Sequence, residues 1–507
     1  MSISDCFSWF SIACLAGAAA VCPVGRAATC ETLADLKLSG TAITIAQAVP
    51  AGSFTPPEGQ ALNNLPAFCR VAGVIKPSSD SNIQFEVWMP ASGWNGKFQG
   101  IGNGGFAGAI DYRSLGAAVT RGYAAAETDT GHRASGTDAT WALGHPQKVI
   151  DFGYRAIHEM TEKGKAIAAA FYGGGPKRSY FSSCSNGGRQ ALMEAQRYPA
   201  DYDGIVAGAP ANYWTHLLAE AVSNLRALLD DPASYIPPAK LPAIQAAALA
   251  ACDARDGVKD GLIENPAQCT FDPAVLLCKD TETDACLTAP QAAALKQLYA
   301  GLRNGKGQLL FPGYSPGGEA EPGGWAAWIT GAAPGKSLMY AFGTQFFMNM
   351  MFENAAWDFH TFNVDRDVKA ADDKLAGTMN ATDADLKKFR DRGGKLILYH
   401  GWSDAAIPAQ NAIDYFESVV KKMGARESGD FLRLYMVPGM QHCGGGSGPN
   451  SFDMAAPLER WVEQNTAPQE VVARGGARTR PLCPYPLVAK YKGAGSTDDA
   501  ANFVCGK

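Results

Sequence analysis

Ser185 and His442 each stand beside a cysteine. The serine lies in Ser182-Ser183-Cys184-Ser185-Asn186-Gly187-Gly188-Arg189 and the histidine in Pro438-Gly439-Met440-Gln441-His442-Cys443. A disulfide between Cys184 and Cys443 would set their Cα atoms about 5.5 Å apart, bringing serine and histidine within hydrogen-bonding range. A serine held against a histidine is the core of nucleophilic ester or amide hydrolysis: the imidazole takes the hydroxyl proton and returns it to the leaving group. Asp404, closing His400-Gly401-Trp402-Ser403-Asp404, falls between them in the chain and would orient the imidazole. The oxyanion needs two backbone N–H groups. One would come from Asn186, directly after the serine. The other would come from Gly102-Asn103-Gly104-Gly105, at Gly104 or Gly105. A phosphate-loop reading of that segment lacks the following Lys-Ser/Thr.

These residues need elements that present them together. Apolar runs predict strands at 83–89, 97–101, 122–127, 179–183, 204–207, 395–399 and 431–437, and helices at 149–172 and 186–198. Strand–helix alternation of this kind predicts a mostly parallel α/β sheet. Ser185 falls in the sharp turn between a strand and a helix, as in a nucleophile elbow, although Ser183 replaces the first glycine of the usual motif. Asp404 and His442 each follow a predicted strand. The order serine, acid, histidine is that of an α/β-hydrolase fold.

Between 212 and 385 the alternation breaks into helical pieces, Pro/Gly-rich loops and four cysteines. We expect a large inserted lid domain there, flanked by catalytic-domain segments 29–211 and 386–507. Its stretch 340–362 is rich in aromatics and methionine. Phe347, Met351 and Trp357 would wall a substrate site suited to a flat ring; the same residues would equally serve as lid core.

The chain has 507 residues, 47% hydrophobic, and a net charge of −5. Nothing here attracts nucleic acid or an acidic membrane surface. Residues 6–25 carry no charge, and small residues follow around Ala27 and Ala28, so 1–28 reads as a signal peptide. Its leading segment holds Asp5 and no Lys or Arg, which leaves a membrane anchor as the alternative. Secretion or a periplasmic location is expected, with no membrane contact after signal removal. Thirteen cysteines less Cys6, Cys14 and Cys22 leave ten, an even number that suggests five disulfides. Proximity favours Cys30–Cys69, Cys252–Cys269, Cys278–Cys286 and Cys483–Cys505, leaving Cys184–Cys443, among about a thousand possible pairings.

Asp253-Ala254-Arg255-Asp256-Gly257-Val258-Lys259-Asp260-Gly261-Leu262 packs three carboxylates among turn glycines. Hard oxygens at this density suit Ca²⁺. The carbonyls of Val258 and Leu262 would complete the shell; a solvated acidic turn is the plainer reading. His132, His145, His158, His216 and His360 sit singly, without ligand spacing, and read as packing or surface residues. His400 would support the acid turn.

Together with Gly208-Ala209-Pro210-Ala211, these motifs make the chain resemble the tannase and feruloyl esterase family of secreted α/β-hydrolases, which includes mono(2-hydroxyethyl) terephthalate hydrolase. The resemblance covers the mature chain. It implies that Ser185, Asp404 and His442 are the triad and that Cys184–Cys443 bridges them. It also implies structural Ca²⁺ on Asp253, Asp256, Val258, Asp260 and Leu262, a lid over the site, and no organic cofactor. The expected substrates are small aromatic esters: hydroxycinnamates, gallates or terephthalate half-esters. A half-ester's carboxylate calls for a cation, and 340–360 contains no Lys or Arg. A gallate needs partners for three hydroxyls, with Asn349, Glu353 and Asp358 the candidates. A feruloyl-type esterase is therefore preferred to a tannase. A non-catalytic aromatic-binding protein and a serine peptidase are the competing classes, and oligomeric state is not legible.

Overall fold

The computed structural model describes residues 28–507. The expected signal peptide therefore lies, except for Ala28, outside the described residues. Nine strands form one sheet: β1 Thr41–Val49, β2 Phe68–Ile75, β3 Ile83–Pro90, β4 Lys97–Ile101, β5 Ala124–Thr128, β6 Arg178–Cys184, β7 Gly204–Gly208, β8 Lys395–Gly401 and β9 Leu432–Val437. Their spatial order is β1-β2-β3-β5-β4-β6-β7-β8-β9. Five of the eight neighbour pairings are parallel, and the three that join β1, β2, β3 and β5 are antiparallel. This is the α/β-hydrolase fold.

Central strands are apolar on both faces because helices cover both. Adjacent residues of a strand point to opposite sides. Phe181, Leu396 and Leu398 accordingly enter one core, while Tyr180 and Ile397 enter the other. The first core is roofed by α2 (Ala156–Tyr172), α3 (Asn186–Arg197) and α5 (Gln410–Met423). The second is roofed by α1 (Tyr112–Thr120) and α6 (Ala455–Gln464), with Trp461 buried beneath the Arg433 guanidinium. The helical segment expected from 149 begins earlier, at Pro146: a turn over Pro146–Ile150 widens through Asp151–Arg155 and leads into α2.

Between β7 and β8 no strand joins the large sheet. The segment opens with α4 (Trp214–Leu229) and forms a third apolar core with Leu295, Phe311, Trp325, Phe346 and Phe347. All five expected disulfides are present. β1 and β2, and two C-terminal hairpins (Val471–Gly475 with Arg478–Leu482, Val488–Tyr491 with Phe503–Gly506), were not expected from the sequence. No helix among the described residues is long and apolar enough to cross a membrane.

Trp461 is a single large side chain closing the second core. Trp461→Ala should cost about 3–5 kcal/mol, seen as a lower urea midpoint at unchanged m.

Candidate active site

Ser185 occupies the junction of β6 and α3 with φ +67° and ψ −125°, a conformation that a non-glycine residue holds only when its surroundings enforce it. Its N–H donates to the Gly208 carbonyl (3.0 Å), and its carbonyl accepts from Ala211 and Arg189 (both 3.1 Å). The missing first glycine of the elbow has a local explanation. A Cβ on Gly187 would come within 1.9 Å of the Ser183 hydroxyl oxygen, so Gly187 clears the space that Ser183 fills.

His442 Nε2 lies 2.9 Å from Ser185 Oγ, and His442 Nδ1 lies 2.8 Å from Asp404 Oδ2. With Nδ1–H donating to the carboxylate, Nε2 is free to accept the serine proton. Asp404 also accepts from the N–H groups of Ala406 (2.8 Å) and Ile407 (2.9 Å) through its other oxygen. His400 Nε2 sits 3.1 Å from Asp404 Oδ2. Burial alone would push this carboxyl up, but His442 and His400 outweigh it and hold the group well below the usual carboxylate range. Cys184 and Cys443, bonded with Cα atoms 5.9 Å apart, fasten the serine turn to the histidine loop.

The loop after β4 faces the same point. Asn103 is fixed by its N–H to Gln190 Oε1 (2.9 Å) and its side-chain amide to the Thr128 carbonyl (2.8 Å). Gly105 adopts φ +54°, and a Cβ there would meet the Gly136 carbonyl at 2.3 Å, so only glycine fits. Gly105 and Asn186 both line the cavity at Ser185, and neither N–H has a protein acceptor among the described residues. Gly104 does not line it; its carbonyl accepts from Ala107. His132 Nε2 donates to the Phe106 carbonyl (2.8 Å) beneath this loop, and burial pushes its imidazole down to about 4.

Arg189 lies just behind. It is fully buried, and among the described residues no carboxylate bonds it. Its nitrogens donate to Asn186 Oδ1 (2.8 Å) and to the carbonyls of Gly153 (2.8 Å), Phe152 (3.1 Å) and Met379 (3.3 Å), between the rings of Phe152 and Trp214. Burial pushes the guanidinium down to about 9.

Over Ser185 lies a cavity that opens to solvent. Trp214, Leu217, Leu218 and Ala221 of α4 form one wall, Tyr314, Trp328, Met339 and Phe342 another, and Ala405, Ala406 and Ile407 of the acid turn a third. No lining residue is charged. Trp328 stands edge-on to His442, with ring centroids 5.1 Å apart. A nucleophile, a base with its orienting carboxylate, two open N–H donors and an aromatic-walled cavity together can perform acyl transfer.

A family profile described as tannase and feruloyl esterase matches residues 69–506. The chain belongs to the tannase and feruloyl esterase family. It is 46% identical to an uncharacterized esterase of Xanthomonas campestris pv. campestris, over 94% of this chain and 91% of that protein. Identity to the mono(2-hydroxyethyl) terephthalate hydrolase of Piscinibacter sakaiensis is 35%, over 95% and 92%. The crystal structure of feruloyl esterase B from Aspergillus oryzae superposes with a TM-score of 0.87 at 28% identity, covering 94% of this chain and 99% of that one. Like its family, the protein is an esterase acting on small-molecule esters.

Within this family member, three expected wall residues lie elsewhere. Phe347, Met351 and Trp357 do not line the cavity. Phe347 is fully buried and stacks on Trp357 (5.3 Å), with Phe352 and Phe362 around it, so these residues pack the insertion's core. Met339 and Phe342, on the helix Leu338–Gln345, line the cavity; the helix then widens over Phe346–Met351, and Phe346, Phe347, Met350 and Met351 are buried in the insertion's core. Trp214, Leu217, Leu218 and Ala221 were missed, yet their i, i+3, i+4, i+7 spacing is an apolar stripe readable in the sequence.

The loop from Asp253 is separate from the cavity and pinned by Cys252–Cys269. Asp253 accepts from the N–H groups of Asp260 and Gly261, and Asp256 from those of Val258 and Glu264. Asp260 pairs with Arg480 at 2.6 Å. Burial, then the nearby Asp260 and Asp253, pushes the Asp256 carboxyl up. The carbonyls of Val258 and Leu262 accept no hydrogen bond among the described residues. Crowded carboxylates and two open carbonyls fit a hard divalent cation. The remaining histidines are not single after all: His145, His158, His216 and His360 each pair with an aspartate (Asp80, Asp201, Asp372, Asp230).

Two outcomes are expected. Asp404, lowered on folding, contributes stability that is complete at neutral pH and lost as pH falls below roughly 4. Asp404→Asn should remove that part of the acid limb in a pH series of denaturant melts. Replacing Cys184 and Cys443 together by Ala should destabilise by up to about 5 kcal/mol, and should lower kcat/KM at temperatures where circular dichroism shows a folded chain.

Proposed function

We propose that this esterase cleaves esters of hydroxycinnamic-type aromatic acids through an acyl-enzyme. The observation that carries the reading is the uncharged, aromatic-walled cavity directly over Ser185 Oγ. A flat apolar acyl group gains from burial there. A terephthalate half-ester would bring a carboxylate against a wall without Lys or Arg, and a gallate would bring three hydroxyls to a wall almost without polar side chains.

In the proposed reaction Ser185 Oγ attacks the ester carbonyl carbon while His442 Nε2 takes its proton. The N–H groups of Asn186 and Gly105 receive the oxyanion, and Asp404 stabilises the imidazolium. Collapse breaks the bond to the alcohol oxygen, which leaves with the proton from Nε2. Water then repeats the sequence and frees the acid. Residues 212–385 act as the lid.

The same reading makes the loop at Asp253, Asp256, Val258, Asp260 and Leu262 a structural Ca²⁺ site, remote from the chemistry. Five disulfides favour an exported, oxidising location, periplasmic or extracellular.

The test is a substrate panel of methyl ferulate, methyl gallate and the terephthalate half-ester at fixed enzyme concentration. Methyl ferulate should give the highest kcat/KM, and Ser185→Ala should lower it by about 10⁴ or more; preference for another acid, or an active Ser185→Ala, removes the reading. Chelation with EGTA should lower Tm and added Ca²⁺ should restore it, with elemental analysis giving one calcium per chain.

A further inference from the structure

Away from the cavity, three side chains of metal-ligating type converge. His158 on α2, Glu194 on α3 and Asp201 in the turn before β7 each bring a nitrogen or oxygen to within 4.8 Å of the other two. None of them lines the cavity over Ser185. His158 Nδ1 lies 2.6 Å from Asp201 Oδ2, and the imidazole stacks on the Tyr198 ring with centroids 3.7 Å apart. Its other nitrogen, Nε2, is 3.8 Å from Glu162 Oε2.

Glu194 is the member that the fold leaves unsatisfied. It is 1% exposed, and neither carboxyl oxygen has a hydrogen-bond partner among the described residues. Neighbouring donors are committed elsewhere. The Lys165 ammonium donates to the Asp201 carbonyl. The Tyr202 hydroxyl bonds Thr161, whose own hydroxyl donates to the Ile157 carbonyl at 2.7 Å. Burial, then the charge of Asp201, pushes the Glu194 carboxyl up. A buried carboxyl with two orphaned oxygens is costly unless a cation or a proton meets it.

We propose that His158, Glu194 and Asp201 form a structural site for a divalent transition cation, Zn²⁺ being the best fit. An imidazole nitrogen beside carboxylate oxygens suits zinc, whereas Ca²⁺ and Mg²⁺ take oxygens. The second Glu194 oxygen or a water fills the fourth position. Zn–N and Zn–O bonds of about 2.0–2.1 Å span about 3.3 Å at a tetrahedral angle. Zinc therefore displaces the proton between His158 and Asp201 and widens their 2.6 Å contact to that span. Glu162 then faces the remaining imidazole N–H as an outer carboxylate. The His158 side chain keeps 22% exposure, which leaves the ion an entry path. Bound there, it pins α2, α3 and the approach to β7 together. Glu194 stands nine residues after Ser185, about 13 Å along the helix, so the ion takes no part in ester cleavage.

The experiment uses the full chain in excess Ca²⁺, which keeps the Asp253 loop filled. After dialysis against Zn²⁺ and then against zinc-free buffer, elemental analysis should give one zinc per chain, and Zn²⁺ should raise Tm. Glu194→Gln keeps the shape and removes the anion. Its zinc affinity should fall by more than the roughly 10–100-fold that loss of an outer partner costs, and the rise in Tm should vanish. His158→Gln, at a part-exposed position, gives the same reading if Glu194→Gln does not fold. If Glu194 and Asp201 share a proton instead, Zn²⁺ leaves the wild-type Tm unchanged, and Glu194→Gln, donating to Asp201, is as stable as wild type. That result overturns the site. Equal zinc uptake by wild type and both variants overturns it as well, because the ion is then held elsewhere.

Discussion

A completely buried guanidinium that meets no carboxylate among the described residues holds this site together. Removing an arginine from water costs several kcal/mol unless its donors are satisfied. Arg189 meets that condition with carbonyl oxygens alone, drawn from three separate segments: the elbow helix through Asn186, the widened turn at Phe152 and Gly153, and the insertion at Met379. Satisfying the charge therefore requires all three to be in place. The strained backbone of Ser185, worth about 1–3 kcal/mol, sits one helical turn away and is sustained by the same assembly. Local strain at the serine and long-range order of the insertion are in this way coupled through one side chain.

Charge is distributed with a consistent logic around the cavity. Asp404 is kept anionic by two imidazoles, and the elbow carries the cation of Arg189. The wall facing an acyl group has no fixed charge, and burial pushes the carboxyl of Glu220, on the same helix α4, upward. Polarity is thus concentrated where the ester bond changes charge and withheld where a ring would be buried.

The sheet was legible where burial is two-sided. β3, β6 and β8 read as short apolar runs between turn residues, and the structure places strands there. β1 was invisible because its residues alternate between exposed and half-buried at the sheet's margin, and β2 because Arg70 and Gly73 interrupt it. The approach of serine, aspartate and histidine was legible because each follows a strand and two of them adjoin cysteines. The cavity wall was not, since the stretch 340–362 is apolar on every side and sequence alone does not say which side faces the space. Nor were the histidine partners, which lie up to 156 residues away, as in His216 and Asp372.

The Cys184–Cys443 bond closes a covalent ring across a separation of 259 residues, and β7, the whole insertion and β8 lie inside it. A single proteolytic nick inside that ring, for instance at the exposed tip around Gly305–Lys306–Gly307, would open the backbone without parting serine from histidine. The two halves would migrate as one species until a reductant reached the bridge. An exposed loop is in that way an expendable connection.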